Sequence, residues 1–177
     1  MSQSSPHPHY SRAEEIASSL SHALGIVLGI AGLAVLAAFA TLHGGTSRIV
    51  SVSIYGATLI LLFTASTLYH AVPNPRAKPI LRVLDHSAIF LLISGTYTPF
   101  ALISLRGPWG WSLFAIVWTL AIIGIALELR HVRNRLVAAL LYLGMGWVGI
   151  VAIKPMVANI EPGGLWLLFA GGLCYTL

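Results

Sequence analysis

Charge is what this sequence most lacks. Only 8% of its 177 residues are charged and 57% are hydrophobic, where an average soluble domain carries about 25% charged residues; that balance excludes a water-soluble fold. Cysteine is nearly absent. The single Cys174 rules out an intrachain disulfide, a secreted disulfide scaffold and the cysteine-ligand zinc patterns, and it reads as a small apolar residue in a helix. No cleavable leader is expected either. The start, MSQSSPHPHYSRAEEIASS, is polar and holds Glu14 and Glu15 where a signal peptide needs a basic start and a short apolar core. Residues 1–19 are therefore expected to be a retained polar tail, with His7 and His9 solvated rather than metal-binding. The net charge of +5 does not point to nucleic acid, because the basic residues fall in short loops between apolar runs. That placement fits membrane topology and anionic headgroups.

What is present is length of apolar chain. Crossing a hydrocarbon core takes about twenty residues, and five stretches qualify, near Leu20–Leu42, Ile49–Ala71, Leu81–Leu105, Trp109–Leu129 and Leu136–Ile153. A sixth runs from Gly163 to Leu177 and covers only about 22 Å of a core about 30 Å thick, so it is expected to be incomplete. The pattern predicts an all-α, polytopic transmembrane bundle forming one domain over residues 20–177. Gly25, Gly29 and Gly32 fit close helix packing in lipid. Trp109, Trp111, Trp147 and Trp166 fall near expected span ends, where amphipathic rings favour the interface, while Trp118 is expected to pack between helices. The run Thr96-Tyr97-Thr98-Pro99-Phe100 predicts a kink with its freed carbonyls met by hydroxyls.

Orientation follows from lysine and arginine. Arg12, Arg76, Lys78, Arg82, Arg130, Arg133 and Arg135 fall in the tail and the even loops, against Arg48, Arg106 and Lys154 in the odd ones. The asymmetry predicts a cytoplasmic N-terminus in the cell membrane. His22, His70, Asp85 and His86 then share the inner-leaflet half on three helices. An aspartate at mid-helix depth in lipid costs roughly 2.5–3.5 kcal/mol, so Asp85 beside an apolar run calls for a function. Ser66 and His70 are four residues apart on one helix face, so Ser66 can orient the imidazole or a bound water. Imidazole nitrogen with a nearby carboxylate suits metal-activated hydrolysis, and the short connection between the second and third helices predicts that His70 and Asp85 face each other. A catalytic zinc needs about three protein ligands. Spacing offers only His22 or His86 as additions, so the alternative stays open that these are interfacial residues, with Asp85 paired to Arg82 one turn earlier. Glu128 with Arg130, and His43 and His131, read as solvated span-end groups.

The segments EEIASSLSHALG, STLYHAVP and LRVLDHSAIFLLISGTYTPF resemble the haemolysin III family, the bacterial branch of membrane receptors that include the adiponectin and progestin receptors. The first segment departs from the family pattern with Ser18 in place of asparagine and Ser21 in place of threonine. The resemblance implies a seven-helix bundle with a cytoplasmic N-terminus and a zinc site near the inner leaflet. It implies that Ser66 and first-shell His70 belong to that site and that Asp85 holds the zinc-bound water. Two further histidines normally come from an HxxxH on a seventh helix, which this sequence does not contain, so the chain is expected to be partial and its zinc site incomplete. The family is linked to haemolysis and to membrane-lipid and fluidity homeostasis, and its animal relatives to ceramide hydrolysis. Three functions follow: a zinc-dependent hydrolase of a lipid amide or ester with Asp85 and Ser66 at its centre, a non-enzymatic lipid sensor, and a pore-forming cytolysin. A pore needs polar residues along several helices, and the sequence concentrates them at one depth. Membrane lipids are the expected partners.

Overall fold

The computed structural model describes residues 11–130 and 135–176, the side chain of Arg135 excepted. His7, His9, His131 and Arg133 lie outside the described residues. Among the described residues all regular structure is helical, with no strand. In chain order they make α1 (Arg12–His43), α2 (Thr46–Ala71), α3 (Lys78–Pro99), a π-helical turn (Phe100–Leu105), α4 (Gly107–Leu129), α5 (Arg135–Trp147), a 3-10 turn (Val148–Ala152), α6 (Ile153–Asn159) and α7 (Pro162–Thr176). Five segments are long and apolar enough to cross a membrane: α1, α2, Lys78–Leu105, α4 and Leu136–Asn159. Successive helices α1, α2, α3 and α4 pack side by side. The Lys78–Leu105 segment is the most buried of the five, at 44% of its apolar window against 22% or less elsewhere, which makes it the centre of the bundle.

Helix α1 starts at Arg12, inside the stretch expected to be a tail. A capping box starts it there: Ser11 Oγ accepts from the Glu14 N–H at 3.2 Å, and Glu14 Oε2 accepts from the Ser11 N–H at 2.6 Å, satisfying two of the donors a helix start leaves open. The consequence is functional. About 12 Å of helix extends beyond the apolar run and carries Glu15 to the ends of its neighbours.

Glycines set the helix spacing at selected points. Gly25 packs on Phe63 and Gly29 on Ile60, both across the α1–α2 contact, but nothing lies within 4 Å of where a Gly32 Cβ would stand. Gly32 is exposed, so the expectation that it packs is corrected. Buried hydroxyls run along the length of α2 and α3, at Ser51, Thr58, Ser66, Ser87, Ser94 and Thr98, the last two meeting α4. His70, Lys78, Arg82, Asp85 and His86 keep to one end of these two helices, as expected, but Arg48 stands at the other end of α2, and the hydroxyls are spread along the whole length. Ser51, Thr58, Ser94 and Thr98 donate to the carbonyls of Ser47, Tyr55, Val117 and Ser94, which marks a packing seam.

The end of α3 loses its regular form at Pro99, as expected, but the hydroxyls there serve other carbonyls than that of Gly95, four residues before the proline. Pro99 removes an N–H, the Thr98 and Thr96 hydroxyls donate to the Ser94 and Ile93 carbonyls, and the chain continues as a π-turn closed by Arg106 N–H to Ala101 O at 3.2 Å. Trp118 is held between helices, its Nε1–H donating to Thr98 Oγ1 at 3.2 Å. Trp147 is not at a span end. The fifth span runs on to Asn159, so Trp147 lies mid-length and packs on α7, with Nε1–H donating to Thr176 Oγ1 at 3.0 Å and its ring against Phe169. The same extension puts Lys154 in α6 rather than in a loop.

Where α5 gives way to its 3-10 turn, the backbone breaks at membrane depth and one side chain bridges the break. The Tyr97 hydroxyl donates to Gly146 O at 2.7 Å and accepts from the Gly149 N–H at 3.0 Å. Irregular backbone survives in a bilayer only where protein satisfies it. Tyr97→Phe should therefore lower unfolding stability by about 1–3 kcal/mol, measured by thermal unfolding in one detergent. A melting temperature equal to wild type would show that the break is satisfied otherwise.

Candidate functional site

The ends of three helices meet around Glu15. His70, in the last turn of α2, donates Nδ1–H to Glu15 Oε2 at 2.9 Å, and Lys78, the first residue of α3, donates from Nζ to Glu15 Oε1 at 2.9 Å. A carboxylate only accepts, so the hydrogen bond puts the proton of neutral His70 on Nδ1 and the lone pair on Nε2. Lys78 also donates to the Tyr69 carbonyl at 2.6 Å and sits 4.6 Å from the Tyr69 ring centroid. A cation at the start of α3 opposes that helix's dipole, but bent back onto an end carbonyl of α2 it is favourable. The turn between them makes this possible. Asn74 Oδ1 accepts from the Arg76 N–H at 2.8 Å, and Asn74 O accepts from the amides of Ala77 and Lys78, so residues 72–77 reverse the chain tightly. The side chains are largely withdrawn from solvent, with relative exposures of 14% for His70 and 25% for Glu15.

The expected residues fall around this cluster unequally. His22 of α1 is at the same level, its ring centroid 5.8 Å from that of His70, and its Nδ1 is buried without a hydrogen-bond partner. Ser66 is 5% exposed on α2, one turn before His70. Asp85 is partly buried on α3, but the carboxylate that meets His70 Nδ1 is Glu15. Among the described residues both ion pairs belong to Glu15, so the alternative Asp85–Arg82 pair does not form. His86 turns elsewhere: its Nδ1–H donates to the Arg82 carbonyl at 2.8 Å, and its own carbonyl accepts from the Tyr142 hydroxyl at 3.1 Å. Ser87, the next residue, has a buried Oγ without a partner.

Glu15, Lys78 and Tyr69 were not singled out as site residues from the sequence; the Tyr69 ring stands edge-on to the imidazole at 4.9 Å. The available signal was spacing: Glu15 and His22 are seven residues apart and share a face of α1.

The arrangement offers acid–base and ligand chemistry in one place. Imidazole nitrogens and carboxylates suit zinc, and a carboxylate fixing the second ring N–H is the support a metal-bound histidine usually has. The unpartnered His22 nitrogen is a donor atom of the right kind. Still, among the described residues no group of three or more His, Cys, Asp or Glu is arranged to hold a metal ion.

Known proteins resemble this chain along most of its length. Residues 10–177 match the family model described as haemolysin-III related. Hemolysin-3 of Bacillus cereus is 48% identical over 165 residues, covering 93% of this chain and 75% of that protein. The Hemolysin-3 homolog of Bacillus subtilis (strain 168) is 43% identical, covering 93% and 78%. The human Monocyte to macrophage differentiation factor is 30% identical over 172 residues, covering 93% and 69%. No solved structure gives a significant match.

Proposed function

We propose, from the premise that this chain belongs to the haemolysin III-related family of multi-pass membrane proteins, that it hydrolyses an amide or ester of a membrane lipid at the α1–α2–α3 helix ends. The observation carrying this reading is the Glu15–His70 pair, a carboxylate-oriented imidazole at the end of a membrane-spanning helix. Charged groups withdrawn from water are costly unless paired, and this pair stands beside the unpartnered His22 nitrogen.

His70 and His22 would hold a zinc ion in part, with Asp85 reaching it through a water. When bound, zinc would lower the pKa of that water toward about 7. The chain's own residues do the rest. Glu15 fixes the His70 tautomer, and Lys78 offsets the Glu15 charge and anchors the carboxylate. Asp85 accepts a proton from the attacking water, whose oxygen bonds to the acyl carbon. The C–N or C–O bond then breaks, and the departing amine or alcohol takes the proton. Ser66, one turn from His70, orients the imidazole or the water. Turnover of such a lipid alters bilayer composition, which is how the protein would serve membrane-lipid and fluidity homeostasis in the cell membrane, with the N-terminus cytoplasmic.

The printed names of the Bacillus relatives suggest cytolysis. The α2–α3 hydroxyl seam weighs against a pore through this bundle, because most of its hydroxyls are bound to backbone carbonyls, whereas a conducting pathway needs polar groups turned to water.

The test is release of free fatty acid, by mass spectrometry, from an N-acyl sphingoid amide and from a diacylglycerol ester mixed with purified protein in lipid nanodiscs. Release that falls on chelation and returns with zinc is expected. No release from either class in the presence of zinc would overturn the hydrolase reading in favour of a lipid-responsive membrane protein without catalysis.

A further inference from the structure

The helix ends opposite Glu15 carry a second polar centre, which the hydrolase reading does not use. A cleft of about 600 Å3 opens there between the α1–α2 turn and the turn joining the π-segment to α4. One wall is His43, Thr46, Ser47 and Arg48, and the other includes Ile103 and Arg106. Arg48 Nη1 donates to His43 O at 2.8 Å and Arg106 Nε donates to Ile103 O at 2.9 Å. Each guanidinium thus commits one N–H to a backbone carbonyl out of the five it carries. Neither has a carboxylate partner, since both ion pairs among the described residues belong to Glu15 at the far end.

Two further features point the same way. Arg106 has φ of +43°, the only positive φ among the described non-glycine residues; such backbone is sparsely populated outside glycine and gathers at ligand-binding positions. The start of α2 has no side-chain cap, because Gly45 supplies none, so the positive end of its dipole borders the same cleft. The cleft therefore has two cationic forks on opposite walls, an imidazole, hydroxyls and no acidic residue in its lining. Guanidinium forks match phosphate oxygens in pairs. The neighbouring Leu42 and Val50 are exposed, at 76% and 45%, so an acyl chain has an apolar surface to follow away from the site.

We propose that Arg48 and Arg106 form a binding site for a phosphate-bearing anion, the chemistry shared by an acidic phospholipid headgroup and a free phosphate. The Glu15–His70 cluster plays no part in it. Purified full chain is equilibrated with phosphatidylglycerol and phosphatidylcholine, and retained lipid is counted by native mass spectrometry; separately, its melting temperature is followed with inorganic phosphate. Wild type should retain phosphatidylglycerol preferentially, and Arg48→Gln with Arg106→Gln should reduce that retention by about tenfold or more, while Lys154→Gln should leave it unchanged. Lipid retention without a response to phosphate identifies a headgroup. A melting shift with phosphate that the double variant loses identifies a soluble anion. Should the glutamine pair fail to fold, the Arg48→Lys, Arg106→Lys pair keeps the charge and loses the fork, and a retention between those of wild type and lipid-free protein is expected. Equal retention in wild type and whichever pair folds, with no phosphate response, overturns the site.

Discussion

His70→Ala should reduce the proposed lipid hydrolysis to the uncatalysed background, whereas Glu15→Gln should leave it about 10- to 100-fold slower. The alanine removes the imidazole altogether, with its lone-pair nitrogen. The glutamine keeps the shape of Glu15 and can still accept from Nδ1–H at 2.9 Å, but it carries no charge to stabilise an imidazolium or to hold Lys78, so tautomer and orientation are weakened rather than lost. Asp85→Asn should resemble His70→Ala in rate, because an amide hydrogen-bonds water without taking its proton. Metal content separates the two: Asp85→Asn should keep much of any bound zinc, and His70→Ala should lose it. Initial rates of fatty-acid release with metal analysis on the same preparations decide the matter. Full activity in His70→Ala would remove the imidazole from the reaction, and activity in Glu15→Gln equal to wild type would reduce Glu15 to a tie between helices.

Gly95→Ala should be among the most destabilising single-methyl additions in the chain, at about 1–3 kcal/mol. A Cβ there would come within 3.1 Å of Oγ1, Cβ and Cγ2 of Thr58, with Oγ1 the nearest. Thr58 cannot yield easily: it is β-branched with one or two permitted rotamers in a helix, is buried, and is tied by its hydroxyl to Tyr55 O at 2.9 Å. Gly56 faces a comparable intrusion from Leu33, whose Cβ and Cγ as well as the branch end lie within 2.9 Å of the added carbon, so a similar cost is expected there. Thr58→Ala removes Oγ1 and Cγ2 together, so the double variant should recover much of the loss, giving a coupling of about 0.5–3 kcal/mol in a double-mutant cycle. Gly32→Ala is the matched control. With open space around it, the substitution should be neutral or stabilising by up to about 1 kcal/mol through helix propensity. Unfolding of the four proteins in one detergent provides the measurement, and additive losses at Gly95 and Thr58 would show that the seam adjusts without strain.

Span existence was readable in the sequence because an apolar run of sufficient length has one physical meaning in a membrane. Facing was not. In lipid both the exposed and the packed side of a helix are apolar, so Gly32 and Gly29 look alike in the sequence, yet only Gly29 meets a neighbour. Trp147 and Lys154 were misplaced for a related reason: the fifth span continues through a 3-10 turn, and glycine, tryptophan and lysine there resemble an ending. In the candidate site, His22, His70 and Ser66 were legible from their depth and spacing. The partner of His70 was not, because Glu15 is 55 residues away and belongs to a stretch that looks like a solvated tail until its capping box is recognised.

The Glu15–Lys78 contact joins residues 63 positions apart, and it can close only if the start of α1 and the start of α3 emerge on the same side of the bilayer. During synthesis these segments enter the membrane in turn. A chain that inserted α3 upside down would leave Glu15 and Lys78 on opposite faces and unable to pair, with only His70 left beside Glu15. The correctly inserted chain resolves both charges, and a carbonyl at the end of α2, in one cluster. The contact thus ties the threading of the first three helices together and can form only after the last of them has been placed.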